Sequence, residues 1–242
     1  MEPIEECVAI LQSAKHLIAL TGAGISQESN VPTFRGKDGL WRQYNAMELA
    51  TLAAFHQNPA LVWEWYAWRQ DLIANCQPNP AHLILAKWEN NGLLKTLITQ
   101  NVDGLHQRAG SKNILLVHGS LWKLKCTLCA YRDRISTPVT GIPRCPECQA
   151  NLRPDVVWFG ECLPSEVLNQ VFLELERADA ILVIGTSAMV QPSASFPLVV
   201  QRHGGQIIEV NIEATPLTDI VNVHIQGKAG EILPLIDQQL QG

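Results

Sequence analysis

Six times in this chain a short apolar run breaks off directly into small or polar residues. His16–Leu20 leads into Thr21–Ser26, Leu94–Ile98 into Thr99–Asp103, and Ile114–Val117 into His118–Ser120. Ala180–Ile184 leads into Gly185–Ser187, Gln206–Val210 into Asn211–Glu213, and Val221–Ile225 into Gly227–Gly230. The runs are rich in Ile, Leu and Val without strict alternation, the pattern of strands covered on both faces. Helical stretches lie between several of them, as at Pro80–Glu89 and Ser165–Arg177. The spacing therefore predicts an α/β fold, a parallel sheet with crossover helices. Ligands of such sheets bind beyond the carboxyl ends of the strands, where all six polar tails lie.

Two stretches break the pattern. Residues 40–75 read as helices, with Asn58 an N-cap and Pro59 the first helical residue. Residues 122–157 hold four of the seven cysteines among Pro138, Gly141, Pro143 and Pro146. We therefore expect a large domain from residues 1–39, 76–121 and 158–242, with a helical insertion at 40–75 and a cysteine module at 122–157 forming a smaller one.

Cys126-x₂-Cys129 and Cys145-x₂-Cys148 are separated by fifteen residues, the spacing of a four-thiolate zinc site rather than of paired disulfides or redox cysteines. Four protein ligands leave no position for water, so one structural zinc is expected. Cys7, Cys76 and Cys162 stand apart. No even disulfide framework is visible, no apolar run approaches the roughly 20 residues of a spanning helix, and the N-terminus lacks a positively charged leader. A cytoplasmic protein with no membrane partner is expected. A formal charge of −5 argues against a direct nucleic-acid footprint.

Gly22-Ala23-Gly24 follows a predicted strand. Alone, it fits an ordinary strand-to-helix turn as well as a pyrophosphate cradle, because Gln27 stands where the dehydrogenase fingerprint has its third glycine. Val31–Gly36 then brings an aromatic and a guanidinium close to the loop, suited to covering a ribose and neutralising phosphate.

With this loop, Gln100-Asn101-Val-Asp103, His118-Gly, the cysteine pairs, Gly185-Thr-Ser187 and Asn211 in this order, nearly the whole chain resembles the sirtuins. These are NAD⁺-dependent protein lysine deacylases. The resemblance implies a Rossmann-like domain, a zinc-bearing small domain, and a cleft holding NAD⁺ as co-substrate and an acyl-lysine protein substrate. It implies that Gly22, Ala23, Gly24, Ile25, Ser26, Thr33, Phe34, Arg35 and Trp41 form the NAD-binding loop. Gln100, Asn101 and Asp103 would surround the ribose and nicotinamide, with Asp103 either steadying a cationic sugar or serving a structural role. Gly185, Thr186, Ser187, Asn211, Ile212, Glu213 and Ala229 would hold the adenosine half. His118 matches the general base, and the other six histidines get solvated or structural roles. Val156–Glu161, containing Val157, Trp158, Phe159 and Gly160, resembles the strand that pairs with the substrate backbone, and Met189–Gln191, with Val190 at its centre, would flank the peptide from the other side. One departure is visible: Asn30 replaces a usual glycine, and asparagine tolerates the left-handed conformation.

Tyr66 and Arg69 are three residues apart and share a helix face. Arginine grips carboxylates bidentately and a tyrosine hydroxyl adds a donor. No acidic residue lies three or four positions from Arg69 to occupy it along its own helix. This Tyr-x-x-Arg resembles the signature of the bacterial and mitochondrial sirtuins that remove malonyl, succinyl or glutaryl groups, with Ala50 and Ala54 leaving room. NAD⁺ glycohydrolysis, ADP-ribosyl transfer and a non-catalytic NAD-sensing role use the same crevice and are the competing functions.

Overall fold

The computed structural model describes residues 2–32 and 46–241, the side chains of 46 and 47 excepted. Six strands form a parallel sheet: β1 (Leu17–Thr21), β2 (Leu94–Thr99), β3 (Ile114–Leu116), β7 (Ala180–Ile184), β8 (Gln206–Asn211) and β9 (Val223–Gln226). They lie in the order β3-β2-β1-β7-β8-β9. Every adjacent pair is parallel. Counted along the sheet this is the 3-2-1-4-5-6 order of the Rossmann arrangement, with its switch point between β1 and β7.

Both central strands are buried at every residue, which explains why their sequences show no alternation. One face is covered by α1 (Pro3–Ser13), α6 (Pro80–Asn90) and α10 (Ala229–Leu240). The other is covered by α8 (Ser165–Arg177) and α9 (Phe196–Arg202).

A second core lies outside this sheet. It joins α4 (Leu52–Gln57) and α5 (Pro59–Ala74) to an antiparallel sheet of β4 (Gly119–Cys126), β5 (Arg132–Arg134) and β6 (Leu152–Val156). A short α3 (Ala46–Leu49) precedes α4. As expected, α5 starts at Pro59, with Asn58 Oδ1 accepting from the Leu61 amide at 3.1 Å. The buried Trp63 and Trp65 supply much of the packing, and Trp63 Nε1 donates to the Leu152 carbonyl at 2.9 Å. The sheet begins at Gly119, where it pairs with Val156, so the smaller core starts one residue after His118.

Candidate functional site

The carboxyl tips of β1 and β7 touch through their backbones. The Gly22 amide donates to the Ile184 carbonyl at 3.0 Å and the Gly24 amide to the Gly185 carbonyl at 2.8 Å. A Cβ on Gly24 would lie 2.7 Å from the Gly185 Cα, closer than side chains tolerate. Gly185 itself has φ +58°. Glycine at these positions thus lets two strand tips meet at the switch point and opens α2 (Gly24–Gln27) beside them.

The neighbouring tails are cross-linked to this pair. Gln100 Nε2 donates to Thr186 Oγ1 at 3.0 Å, and Asn101 Nδ2 donates to the Gly22 carbonyl at 3.0 Å. Asn211 Nδ2 donates to the Thr186 carbonyl at 2.8 Å, while its Oδ1 accepts from the Ile212 amide at 2.9 Å. Ser187, Ile212 and Glu213 are exposed at the rim, and Ala229 is buried at the start of α10. Asn30 does take a left-handed φ of +62°. Thr33, Phe34, Arg35 and Trp41 lie outside the described residues.

Asp103 is buried beneath the loop. Its carboxylate accepts from the Ser26 hydroxyl at 2.8 Å and the Leu105 amide at 2.8 Å, at the start of α7 (Leu105–Ala109). Burial pushes its carboxyl up from the usual range, opposed by those two bonds and by Arg69 and Arg108.

His118 sits between β3 and β4. Its Nδ1 lies 3.0 Å from the Gln100 carbonyl oxygen. Desolvation lowers its pKa, with that hydrogen bond acting the other way. Gly119 follows with φ +80°, and a Cβ there would collide with the Asp155 carbonyl oxygen. The imidazole is therefore held at the seam where the large sheet hands over to the small one.

The four sulfurs of Cys126, Cys129, Cys145 and Cys148 lie within 4.8 Å of one another. Separations of 3.4 Å for Cys126–Cys148 and 3.5 Å for Cys129–Cys145 approach the edge of about 3.8 Å for a tetrahedron with zinc–sulfur arms of about 2.3 Å. The donor set and its closeness fit one zinc ion.

The substrate-side residues are more altered from expectation. β6 ends at Val156, and residues 157–160 form a bend, with Gly160 at φ +86°. Three of their amides are engaged within the chain: Val157 with the His118 carbonyl at 3.0 Å, Phe159 with the Ala50 carbonyl at 2.9 Å, Trp158 with Glu161 Oε2 at 2.8 Å. Phe159 and Val190 are exposed, whereas Trp158 is buried. Tyr66 is 0% and Arg69 6% exposed, both inside the small core. The Arg69 guanidinium lies 4.9 Å from the Trp65 ring centre and, with Val31, Pro32, Trp68, Leu72 and Ile73, lines a small pocket. Desolvation lowers its pKa.

Two of the histidines expected to be solvated or structural, His82 and His106, are buried beneath the loop in a structural network. His82 Nδ1 lies 3.0 Å from Asn79 Oδ1, and Asn79 Nδ2 donates to the Ile25 carbonyl at 2.7 Å. His106 Nε2 lies 2.9 Å from Thr21 Oγ1. Burial lowers the His82 pKa to about 4. Asn79-Pro80 as a helix start was the only local signal for this network.

A model of the Sir2 family matches residues 22–192 of this chain. The NAD-dependent protein deacylase 1 of Archaeoglobus fulgidus is 52% identical over 231 residues, covering 95% of this chain and 94% of its own. The NAD-dependent protein deacylase of Pyrococcus furiosus is 50% identical over 243 residues, covering 98% and 97%. Among solved structures, a Sir2 homolog–NAD complex gives a TM-score of 0.94 at 50% identity, over 98% of this chain and 93% of that one. A Sir2 protein bound to a propionylated peptide gives 0.87 at 30% identity, over 99% and 98%.

Proposed function

The chain belongs to the Sir2 family, and from that premise we propose a protein lysine deacylase that accepts acidic acyl groups as well as acetyl. It is an NAD⁺-dependent enzyme of protein deacylation with NAD⁺ as co-substrate and one structural zinc. When bound, NAD⁺ supplies an electrophilic ribose carbon, a nicotinamide leaving group and the ADP-ribose that receives the acyl group.

The residues take these roles. Gly22 to Ser26 form the floor under the pyrophosphate, since only glycine permits the approach of the two strand tips. Thr186, Ser187, Asn211, Ile212, Glu213 and Ala229 hold the adenosine half. Gln100, Asn101 and Asp103 shape the nicotinamide side, and Thr33, Phe34, Arg35 and Trp41 complete it. His118 is the base that takes a ribose hydroxyl proton. Its support is geometric: a carbonyl only accepts, so the Gln100 contact puts the hydrogen on Nδ1 and leaves Nε2 a lone pair. Cys126, Cys129, Cys145 and Cys148 hold the zinc away from the chemistry.

An acyl-lysine segment lies between Val157–Gly160 and Val190. Exposed Phe159 and Val190 favour this placement. The peptide adds to the backbone here, with little side-chain selectivity. Tyr66 and Arg69 read an acyl carboxylate. The observation that carries this is a cation and a phenol on one buried helix face, beside an apolar pocket.

The division into a large domain at 1–39, 76–121 and 158–242, with insertions at 40–75 and 122–157, belongs to the same proposal. One shared core of α5 with the cysteine module supports it. We place the enzyme in the cytoplasm because Cys7, Cys76 and Cys162 are free thiols. No helix among the described residues is long and apolar enough to cross a membrane.

One peptide carrying acetyl, malonyl, succinyl or glutaryl groups, assayed with and without NAD⁺, tests the reading. NAD⁺-dependent release of the acidic groups is expected. Turnover of acetyl alone removes the acidic-acyl reading and leaves the deacylase.

A further inference from the structure

A buried clamp runs from the bend at 157–160 to the helix that carries Tyr66. Arg153 donates through Nη1 to Glu161 Oε1 at 2.6 Å and through Nη2 to Glu161 Oε2 at 2.9 Å. Nη2 also donates to the Val156 carbonyl at 2.7 Å. Glu161 Oε2 accepts the Trp158 amide as well. The guanidinium carbon lies 3.3 Å from the Trp158 ring centre. A bidentate pair of this kind fixes geometry as well as charge. Trp158 is thus held by its backbone and by one ring face.

From that fixed position Trp158 Nε1 donates to the Tyr66 hydroxyl oxygen at 2.7 Å. The two rings are near parallel, 27° apart with centres separated by 6.4 Å. An indole N–H only donates, so Tyr66 is the acceptor here and keeps its one phenolic hydrogen. No described residue accepts that hydrogen, although Tyr66 is fully buried. A buried hydroxyl with an uncommitted hydrogen is costly unless something arrives to accept it.

We propose that Trp158 is a positioning residue: by occupying one lone pair of the Tyr66 oxygen it orients the phenol to act as a donor toward the acyl carboxylate, and it couples the peptide-receiving bend to acyl selection. This rests on the acidic-acyl reading given above. Without the indole N–H the phenol is free to rotate and to act as acceptor, which opposes a carboxylate. The Arg153–Glu161 clamp serves the same end by holding the ring that donates.

Trp158→Phe keeps an aromatic ring against Arg153 and Tyr66 and removes the donor together with part of the ring, whereas benzothienylalanine removes the donor alone. The readout is the ratio of succinyl to acetyl kcat/KM on one peptide, with KM and kcat taken separately. The ratio is expected to fall roughly tenfold, mainly through the succinyl KM, as expected for one lost hydrogen bond to a charged group. Tyr66→Phe should lower it similarly, and the double variant should fall no further than either single one. If Trp158→Phe does not fold, benzothienylalanine at position 158 replaces the N–H by sulfur in a ring of the same shape. A purely structural Trp158 lowers both activities and leaves the ratio in place, which overturns the inference, as do additive effects in the double variant. A wild-type enzyme inert on succinyl-lysine overturns both readings. Selective loss in Tyr66→Phe and Arg69→Met, with an unchanged ratio in Trp158→Phe, overturns this one alone.

Discussion

The imidazole of His118 is tied to the backbone of Gln100, the residue whose side chain reaches Thr186 across the strand tips. The imidazole is thereby set in one tautomer by the same segment that borders the candidate nicotinamide pocket. His118→Tyr fills the space but cannot take a proton near neutrality. It is expected to fold, retain zinc and lose deacylation by a factor of about 10² to 10⁴, the usual worth of a positioned base. Circular dichroism, zinc content and peptide turnover check this, and retention of most turnover contradicts the assignment.

The pH profile follows from the direction of the His118 shift. Burial moves its pKa below the ordinary 6.5, so the imidazole is neutral at pH 7 and is lost as a base only when pH falls through the depressed value. The acid limb of kcat/KM should break below 6.5. A break above that value contradicts the desolvated environment.

Arg69 tests acyl selection from the charged side. Arg69→Met keeps much of the side-chain volume and removes the cation. Desuccinylation should fall by at least tenfold more than deacetylation, because charge-assisted bidentate bonds are lost for one substrate only. Equal loss of both activities assigns Arg69 to the packing of the small core.

Zinc removal should act on stability before chemistry. Cys145 is buried in the core that also holds Trp63 and Trp65. A chelator should release one zinc per chain, lower the melting temperature and reduce activity in step with unfolding. A metal-free protein that melts like the holoprotein contradicts the structural role.

Much of the large sheet was legible because its two central strands, β1 and β7, are buried at every residue and end at or within one residue of their polar tails. Helix Ser165–Arg177 has the expected limits, and Asn58 caps α5 as its sequence predicts. The small sheet was not legible. Its β5 is Arg132-Asp133-Arg134, wholly exposed and without apolar alternation. The strand expected to run through Glu161 stops at Val156, because Gly160 turns the chain and Glu161 folds back onto Arg153. Nothing local announces a bond between residues eight apart. His82 and His106 looked like ordinary histidines because their partners Ser26 and Thr21 are brought to them only by the fold.

Product stoichiometry tests deacylation at this crevice most directly. Mass spectrometry after incubation with NAD⁺ and an acyl-lysine peptide should find nicotinamide, deacylated peptide and acyl-ADP-ribose in equal amounts. Free ADP-ribose with the peptide unchanged contradicts it and identifies hydrolysis of NAD⁺ instead.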